Sequence, residues 1–298
     1  MEEEKTLRTL NAACHCKAPQ GPRQSVPSTD KIEIVRGADT TILHFAFCIL
    51  HSAFLFCGTE RMVYMAKPDN RIWELDALRG LMILVMVFIH LCFDLDYFRG
   101  IDLVKNPAVQ FCMDHCGVSF VILSGLCAVL GRRSVRRGLQ VLGGGLVITA
   151  VTGGMYLLGM ADRFIVIWFG VLHLLGSCML LWPLFRRLPT WVLAVLGAAL
   201  VALGAWAETA VFGSWWLMPL GLTPPGFSSS DYFPLLPYLG WFLLGACLGR
   251  LLYSERRSLL PGFPANAWPI RALRWCGVHS LWIYLLHQPV LYALVQLG

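Results

Sequence analysis

Charged residues are scarce in this 298-residue chain: Asp, Glu, Lys and Arg make up 14% of it, about half the share that is usual in soluble proteins. Hydrophobic residues make up 57% of the chain, and the mean hydropathy is +0.62. This composition excludes a disordered chain, a basic nucleic-acid-binding domain and an ordinary soluble enzyme. It predicts a polytopic membrane protein whose partner is the lipid bilayer. The net charge of +6 does not indicate a nucleic-acid partner, because the positive charges lie in clusters between apolar runs, a pattern that orients helices in a bilayer. No nucleic-acid partner is therefore predicted.

The cysteine pattern that marks a metal site is also missing. The eleven cysteines include no CxxC pair and no zinc-type spacing, and many of them lie inside apolar runs. In such positions Cys behaves as a small hydrophobic residue. The sequence therefore predicts neither a metal site nor a disulfide framework.

Long apolar runs dominate what is present. A bilayer core of about 30 Å needs roughly 20 apolar residues in a helix. Seven continuous runs meet this length, and they are 77–98, 108–131, 139–160, 164–185, 190–212, 233–252 and 276–297. The predicted fold is an all-α polytopic membrane protein with a bundle of about seven transmembrane helices, or eight if the shorter run 41–57 also spans.

Positive charge is distributed unequally between the two ends of these helices. On one side, which we call the arginine-rich side, lie Lys67, Arg71, Arg79, Arg132, Arg133, Arg136, Arg137, Arg186, Arg187, Arg250, Arg256, Arg257, Arg271 and Arg274. The opposite side has only Arg99, Lys105 and Arg163. Because cytoplasmic loops carry the excess of Lys and Arg, we expect a multi-pass plasma-membrane protein whose first confident helix starts in the cytoplasm and whose C-terminus lies outside.

Two regions differ in kind. Residues 1–40 are polar and charged, and residues 1–66 as a whole are predicted to be an N-terminal segment outside the working fold, either disordered or upstream of the true start. The transmembrane domain is predicted over 67–298. No oligomeric state is predicted.

The first helix carries the richest set of polar groups. Asp76, Arg79, His90 and Asp94 lie at spacings of three, four and seven residues or their sums, and so share one face. Ionisable groups inside a bilayer are costly and are functional candidates. Asp94, one turn after His90, is predicted to accept a ring N–H of that histidine and so to raise its basicity. The alternative is a buried pair with a purely structural role.

Other helices place polar groups at a similar depth. His173 and His287 are both predicted to be able to approach His90, although for His173 alone an ordinary core role is favoured. Pro289 is predicted to interrupt the last helix and free backbone groups. Asp114, near the start of the second predicted helix, is a further candidate to line a polar pocket around these histidines.

The arginines after the second helix have two interpretations. Arg132 and Arg133 belong to a cluster that can set the topology and contact anionic lipids. The same guanidinium groups could instead hold a phosphorylated cytoplasmic donor.

Three motifs resemble a known family. R-x-x-E-L-D-A-L-R-G at 71–80, FVILSG at 120–125 and SLWIYLLHQP at 280–289 resemble a bacterial integral-membrane family similar to the catalytic domain of heparan-alpha-glucosaminide N-acetyltransferase. The resemblance covers about 70–298. It implies a multi-helix bundle that transfers an acetyl group from acetyl-CoA, as co-substrate, to a sugar amine. Asp76, Arg79 and Gly80 match the opening motif, and Asp114 matches an Asp at the same offset before Gly125.

The leading hypothesis is a membrane acyltransferase with catalytic residues His90, Asp94, Asp114 and His287. Asp76, Arg79, Arg132 and Arg133 would hold acetyl-CoA, and a sugar amine or hydroxyl of an envelope or extracellular glycan would be the acceptor. The alternatives are a proton-coupled transporter or permease with a midplane His and Asp site, and a structural or assembly protein in which His90 and Asp94 tolerate substitution.

Overall fold

The computed structural model describes residues 71–160, 162–207 and 213–297, and the predicted N-terminal segment 1–66 lies outside them. These residues contain eight α-helices. They are α1 (Trp73–Arg99), α2 (Pro107–Leu130), α3 (Ser134–Leu157), α4 (Val171–Phe185), α5 (Thr190–Ala207), α6 (Leu235–Leu252), α7 (Trp268–Val278) and α8 (Ser280–Leu297).

The helices are long and apolar enough for a membrane protein. Among the described residues, α1, α2, α3, α5 and α6 each have the length and hydropathy of a membrane span. The bent pair α7 and α8 gives up to one more. The predicted all-helical polytopic membrane fold is confirmed, and within the described part of the chain five or six helices can span, where seven were predicted.

The fourth predicted span is shorter than expected. The helix α4 begins at Val171, and a 3₁₀ turn at Arg163–Ile165 followed by extended chain precedes it. The extended stretch joins the loop before α6, because the Phe233 N–H donates to the Phe169 carbonyl at 2.9 Å. Hydropathy alone predicted helix from 164, because apolar residues in a buried extended segment look the same as those in a helix.

The last predicted span breaks at a different residue. The axes of α7 and α8 differ by 86°, and the break falls at His279. Helix α8 continues through Pro289, so the predicted interruption there is wrong. Transmembrane helices tolerate an internal proline when neighbouring groups satisfy the freed carbonyl.

Glycines bring helices into backbone contact at two crossings. A Cβ on Gly277 of α7 would lie 1.8 Å from the Asp76 carbonyl oxygen of α1, and one on Gly80 would lie 1.9 Å from the Leu273 carbonyl oxygen. A Cβ on Gly125 of α2 would lie 1.9 Å from the Phe242 carbonyl oxygen of α6. The motifs at 71–80 and 120–125 therefore owe their glycines to close packing between helices.

Helix α8 lies beside α1 and runs in the same direction. The Arg99 guanidinium at the end of α1 donates to the Val295 carbonyl at 3.0 and 2.7 Å, near the end of α8. The polar residues of the two helices therefore meet at matching depths.

Candidate functional site

A pair of histidines is the centre of the site. The rings of His90 on α1 and His287 on α8 meet edge to face, with their centroids 4.7 Å apart and their planes at 82°. The predicted approach of His287 to His90 is confirmed. His173 does not join the pair.

The backbone fixes the tautomer of both histidines. Nδ1 of His90 lies 2.9 Å from the Met86 carbonyl oxygen, and Nδ1 of His287 lies 2.6 Å from the Tyr284 carbonyl oxygen. A carbonyl only accepts, so each Nδ1 carries the proton and each neutral ring keeps an unprotonated Nε2. The Nε2 of His287 is buried and has no hydrogen-bond partner among the described residues. Two nitrogen bases therefore sit close together inside the bundle.

Asp94 does not orient His90, and that prediction is wrong. The carboxylate of Asp94 is 2% exposed, and both of its oxygens accept from Nε2 of Gln288, at 2.9 and 3.0 Å. Side chains on a helix lean toward its N-terminus, so the His90 ring turns back to Met86 while Asp94 faces α8. Asp94 thus fastens α8 to α1 next to the histidine pair.

Asp231 lies beside the histidine pair and is a candidate site residue that the sequence did not reveal. Its Oδ2 accepts from the Val171 N–H at 3.2 Å and from the Tyr284 hydroxyl at 3.0 Å. Burial raises the pKa of the Asp231 carboxyl group, while the Val171 hydrogen bond, the nearby His90 ring and the Tyr284 hydrogen bond each act to lower that pKa. The three partners come from α1, α4 and α8, so no local spacing in the sequence could have pointed to Asp231.

The start of α4 accommodates this carboxylate because Gly170 precedes it. A Cβ at Gly170 would lie 2.1 Å from Oδ2 of Asp231. The position therefore requires glycine if the carboxylate is to reach the first N–H groups of the helix, which favour negative charge.

His173 has a structural role, as favoured from the sequence. Its Nδ1 accepts from the Gly170 N–H at 3.2 Å, so its Nε2 carries the proton and lies 3.2 Å from Oγ1 of Thr149. The Thr149 hydroxyl in turn donates to the Ile167 carbonyl at 2.5 Å. Both ring nitrogens are satisfied.

Asp114 lies half-buried on α2 and forms no hydrogen bond with either histidine among the described residues. The neighbouring His115 is exposed and stacks on Phe111 with ring centroids 4.3 Å apart. Among the described residues, the structure thus gives no hydrogen bond that would link Asp114 to the histidine pair.

The opening motif builds the arginine-rich end of the site. Asp76 is 9% exposed and pairs with Arg79 at 3.4 Å and with Arg71 at 3.7 Å. Glu74 accepts from the Ser258 hydroxyl at 2.9 Å. Glu74 therefore ties this end of α1 to the segment between α6 and α7, whereas Asp76 pairs within the motif itself.

A groove of about 520 Å³ lies between the start of α1 and α7. It is lined by Arg71, Asp76, Trp268, Arg271, Ala272, Arg274, Trp275, Val278 and His279. Of the predicted donor-binding residues, only Asp76 lines it. Arg132 and Arg133 lie exposed between α2 and α3.

A second groove, of about 490 Å³, lies between the ends of α1 and α8 and includes Arg99 and Val295. His90 lines neither groove. Both histidines are partly exposed, so the pair lies near the edge of the packed interior and not within a sealed cavity.

Comparison with known proteins identifies the family. No curated protein and no solved structure is similar enough to count as a match. The sequence model of the family described as "Heparan-alpha-glucosaminide N-acetyltransferase, catalytic" matches residues 71–289, a range that begins with the opening motif of α1 and ends in α8. The chain belongs to this family of membrane acetyltransferases.

Proposed function

We propose that the protein transfers the acetyl group of acetyl-CoA, taken from the arginine-rich side, to an amine or hydroxyl of a sugar acceptor on the opposite side. The observation that carries this proposal is the contact between the His90 and His287 rings, each of which binds a backbone carbonyl of its own helix through Nδ1 and so keeps an unprotonated Nε2. Acyl transfer to an amine or hydroxyl needs a base at this kind of position.

His90 is the proposed general base. The acceptor nitrogen or oxygen attacks the thioester carbonyl carbon, the carbon–sulfur bond breaks, and the CoA thiolate leaves. Nε2 of His90 takes the proton of the acceptor and returns it to the sulfur. When the Asp231 carboxyl group is ionised, its charge stabilises the imidazolium in between, and His287 places a second base beside His90. The same Nε2 atom could also take the acetyl group itself as a nucleophile.

The remaining candidates support this reaction from a distance. Asp94 positions His287 by holding the adjacent Gln288. Asp114 is proposed to line the side on which the acceptor binds. Asp76, Arg79, Arg132 and Arg133 are proposed to guide the phosphorylated donor, since guanidinium groups pair well with phosphate.

The proposed orientation follows the distribution of Arg. The arginine-rich side is proposed to face the cytoplasm, where acetyl-CoA is made, in a plasma membrane with the C-terminus outside. Transfer would then deliver the acetyl group to an envelope or extracellular glycan.

The test is acetyl transfer by the purified full chain in lipid nanodiscs. Radiolabelled acetyl-CoA is supplied with glucosamine as the probe acceptor, and both CoA release and acetylated sugar are measured. The proposal predicts CoA release that is faster with the sugar than without it. If neither product forms, and proteoliposomes instead show uptake driven by a pH gradient, the chain is a transporter and the acetyltransferase proposal is wrong.

A further inference from the structure

The groove between α1 and α7, which we call the Arg–Trp groove, has an unusual charge balance. Three arginines and a single carboxylate line it. The carboxylate, Asp76, already pairs with Arg71 and Arg79. Among the described residues, no carboxylate pairs with Arg271 or Arg274, so within this part of the chain the wall formed by α7 carries an excess of positive charge.

The same wall carries exposed aromatic rings. Trp268 is 79% exposed and Trp275 is 60% exposed, although both are among the largest apolar side chains. The His279 ring packs on Trp275 with centroids 4.5 Å apart. The groove therefore combines cationic forks with flat apolar faces.

The direction of α7 places this wall at the surface of the bundle. The helix packs against the first turns of α1 through Gly277 and lies at 86° to α8. If α8 crosses the bilayer, α7 runs along the membrane surface. Exposed Trp and Arg on such a helix sit at the depth of phosphate groups.

We propose that the Arg–Trp groove binds a phosphate-bearing ligand, with the guanidinium groups of Arg271 and Arg274 on the phosphate and an indole ring of α7 beside it. Arg binds phosphate through paired N–H donors in a planar fork, which a single Lys cannot reproduce. The phosphate has two possible sources. One is the nucleotide end of acetyl-CoA, which rests on the proposed function, and the other is the headgroup of an anionic lipid.

The first arm of the test measures a soluble phosphate. The full chain is placed in nanodiscs of phosphatidylcholine alone, and adenosine 3′,5′-bisphosphate is titrated into it by calorimetry. The proposal predicts saturable binding that weakens at least tenfold in Arg271→Gln/Arg274→Gln. The exposed Arg271→Gln single variant should weaken it by a smaller factor. The matched control is Arg186→Gln/Arg187→Gln, which removes the same charge from exposed positions on the same side, outside the groove.

The second arm measures a lipid phosphate. Dansyl-labelled phosphatidylglycerol is added to the nanodiscs, and energy transfer from tryptophan to the dansyl group reports its proximity. Transfer that is lost in the groove variant and kept in the control supports a lipid source, and bisphosphate binding with the same pattern supports a soluble source. If neither probe binds, or if both bind the groove variant as well as the control, the proposal is wrong.

Neither arm depends on turnover. If the wild-type protein binds the bisphosphate through the groove but releases no CoA, the proposed function is wrong and the groove proposal is supported. If the groove variant transfers acetyl groups with an unchanged KM and neither probe binds the wild type, the groove proposal is wrong and the proposed function is supported.

Discussion

Nε2 of Gln288 lies 2.9 and 3.0 Å from the two carboxylate oxygens of Asp94 and joins α8 to α1 at the depth of the histidine pair. The carboxylate is almost fully buried, so this amide is what makes its burial tolerable. The adjacent residue, His287, is thereby held against His90.

Substitution at this contact should be strongly non-additive. Gln288→Leu leaves a buried carboxylate without its donor and should lower the free energy of unfolding by at least about 1–3 kcal/mol. Asp94→Leu/Gln288→Leu removes both partners and should be less destabilised than Gln288→Leu alone. Unfolding of the purified protein in mixed micelles measures this difference. Simple additivity of the single variants would show that the two side chains do not depend on each other.

The crossing of α1 and α7 should not accept a methyl group. In Gly277→Ala the new Cβ would meet the Asp76 carbonyl at 1.8 Å, and because the obstacle is backbone the helices must separate. We expect a loss of about 1–3 kcal/mol in the free energy of unfolding. Gly143→Ala is the matched control, since a Cβ there meets nothing within 4 Å, and it should be neutral or stabilising by up to about 1 kcal/mol. Equal effects at the two positions would rule out the close crossing.

Asp231 should make stability depend on pH. Burial raises its pKa in the folded state, so the folded protein binds the proton more tightly than the unfolded chain does. Its contribution to stability is therefore greatest below the ordinary carboxyl pKa of about 3.9 and is lost as the pH rises through the raised value. In Asp231→Asn this loss should disappear. The measurement is the free energy of unfolding across this pH range, with the exposed Asp162→Asn as the control. The prediction is contradicted if the stability of the wild type rises with pH over this range and only Asp231→Asn abolishes that rise.

The depth of polar residues in each apolar run was sufficient to predict that His287 meets His90, because depth in a straight helix follows from residue count. The same reasoning failed for Asp94, because residue counting does not give the direction of a side chain. The His90 ring turns to the Met86 carbonyl, and Asp94 turns to Gln288 of a neighbouring helix. Asp231 could not be found at all. Its partners Val171 and Tyr284 are 60 and 53 residues away, and they meet it only after folding.

The start of α4 also could not be predicted from the sequence. Residues 166–170 are apolar and continue the run of α4, but their N–H and C=O groups bond to other loops and to Thr152. Such bonds between distant segments override the local tendency toward helix. That irregular stretch is what leaves room for Asp231 at the first turn of α4.

The central claim is that His90 is the base for acetyl transfer, and the most direct measurement is the rate of CoA release from acetyl-CoA, with glucosamine present, by the wild type and His90→Ala. General-base catalysis contributes about 10²–10⁴-fold, so His90→Ala should lose at least about 10²-fold in kcat. His115→Ala is the matched control, because His115 makes the same ring contact with a carbonyl one turn back but lies exposed on α2, and it should keep the wild-type rate. A His90→Ala protein that folds and releases CoA at the rate of His115→Ala would contradict the account.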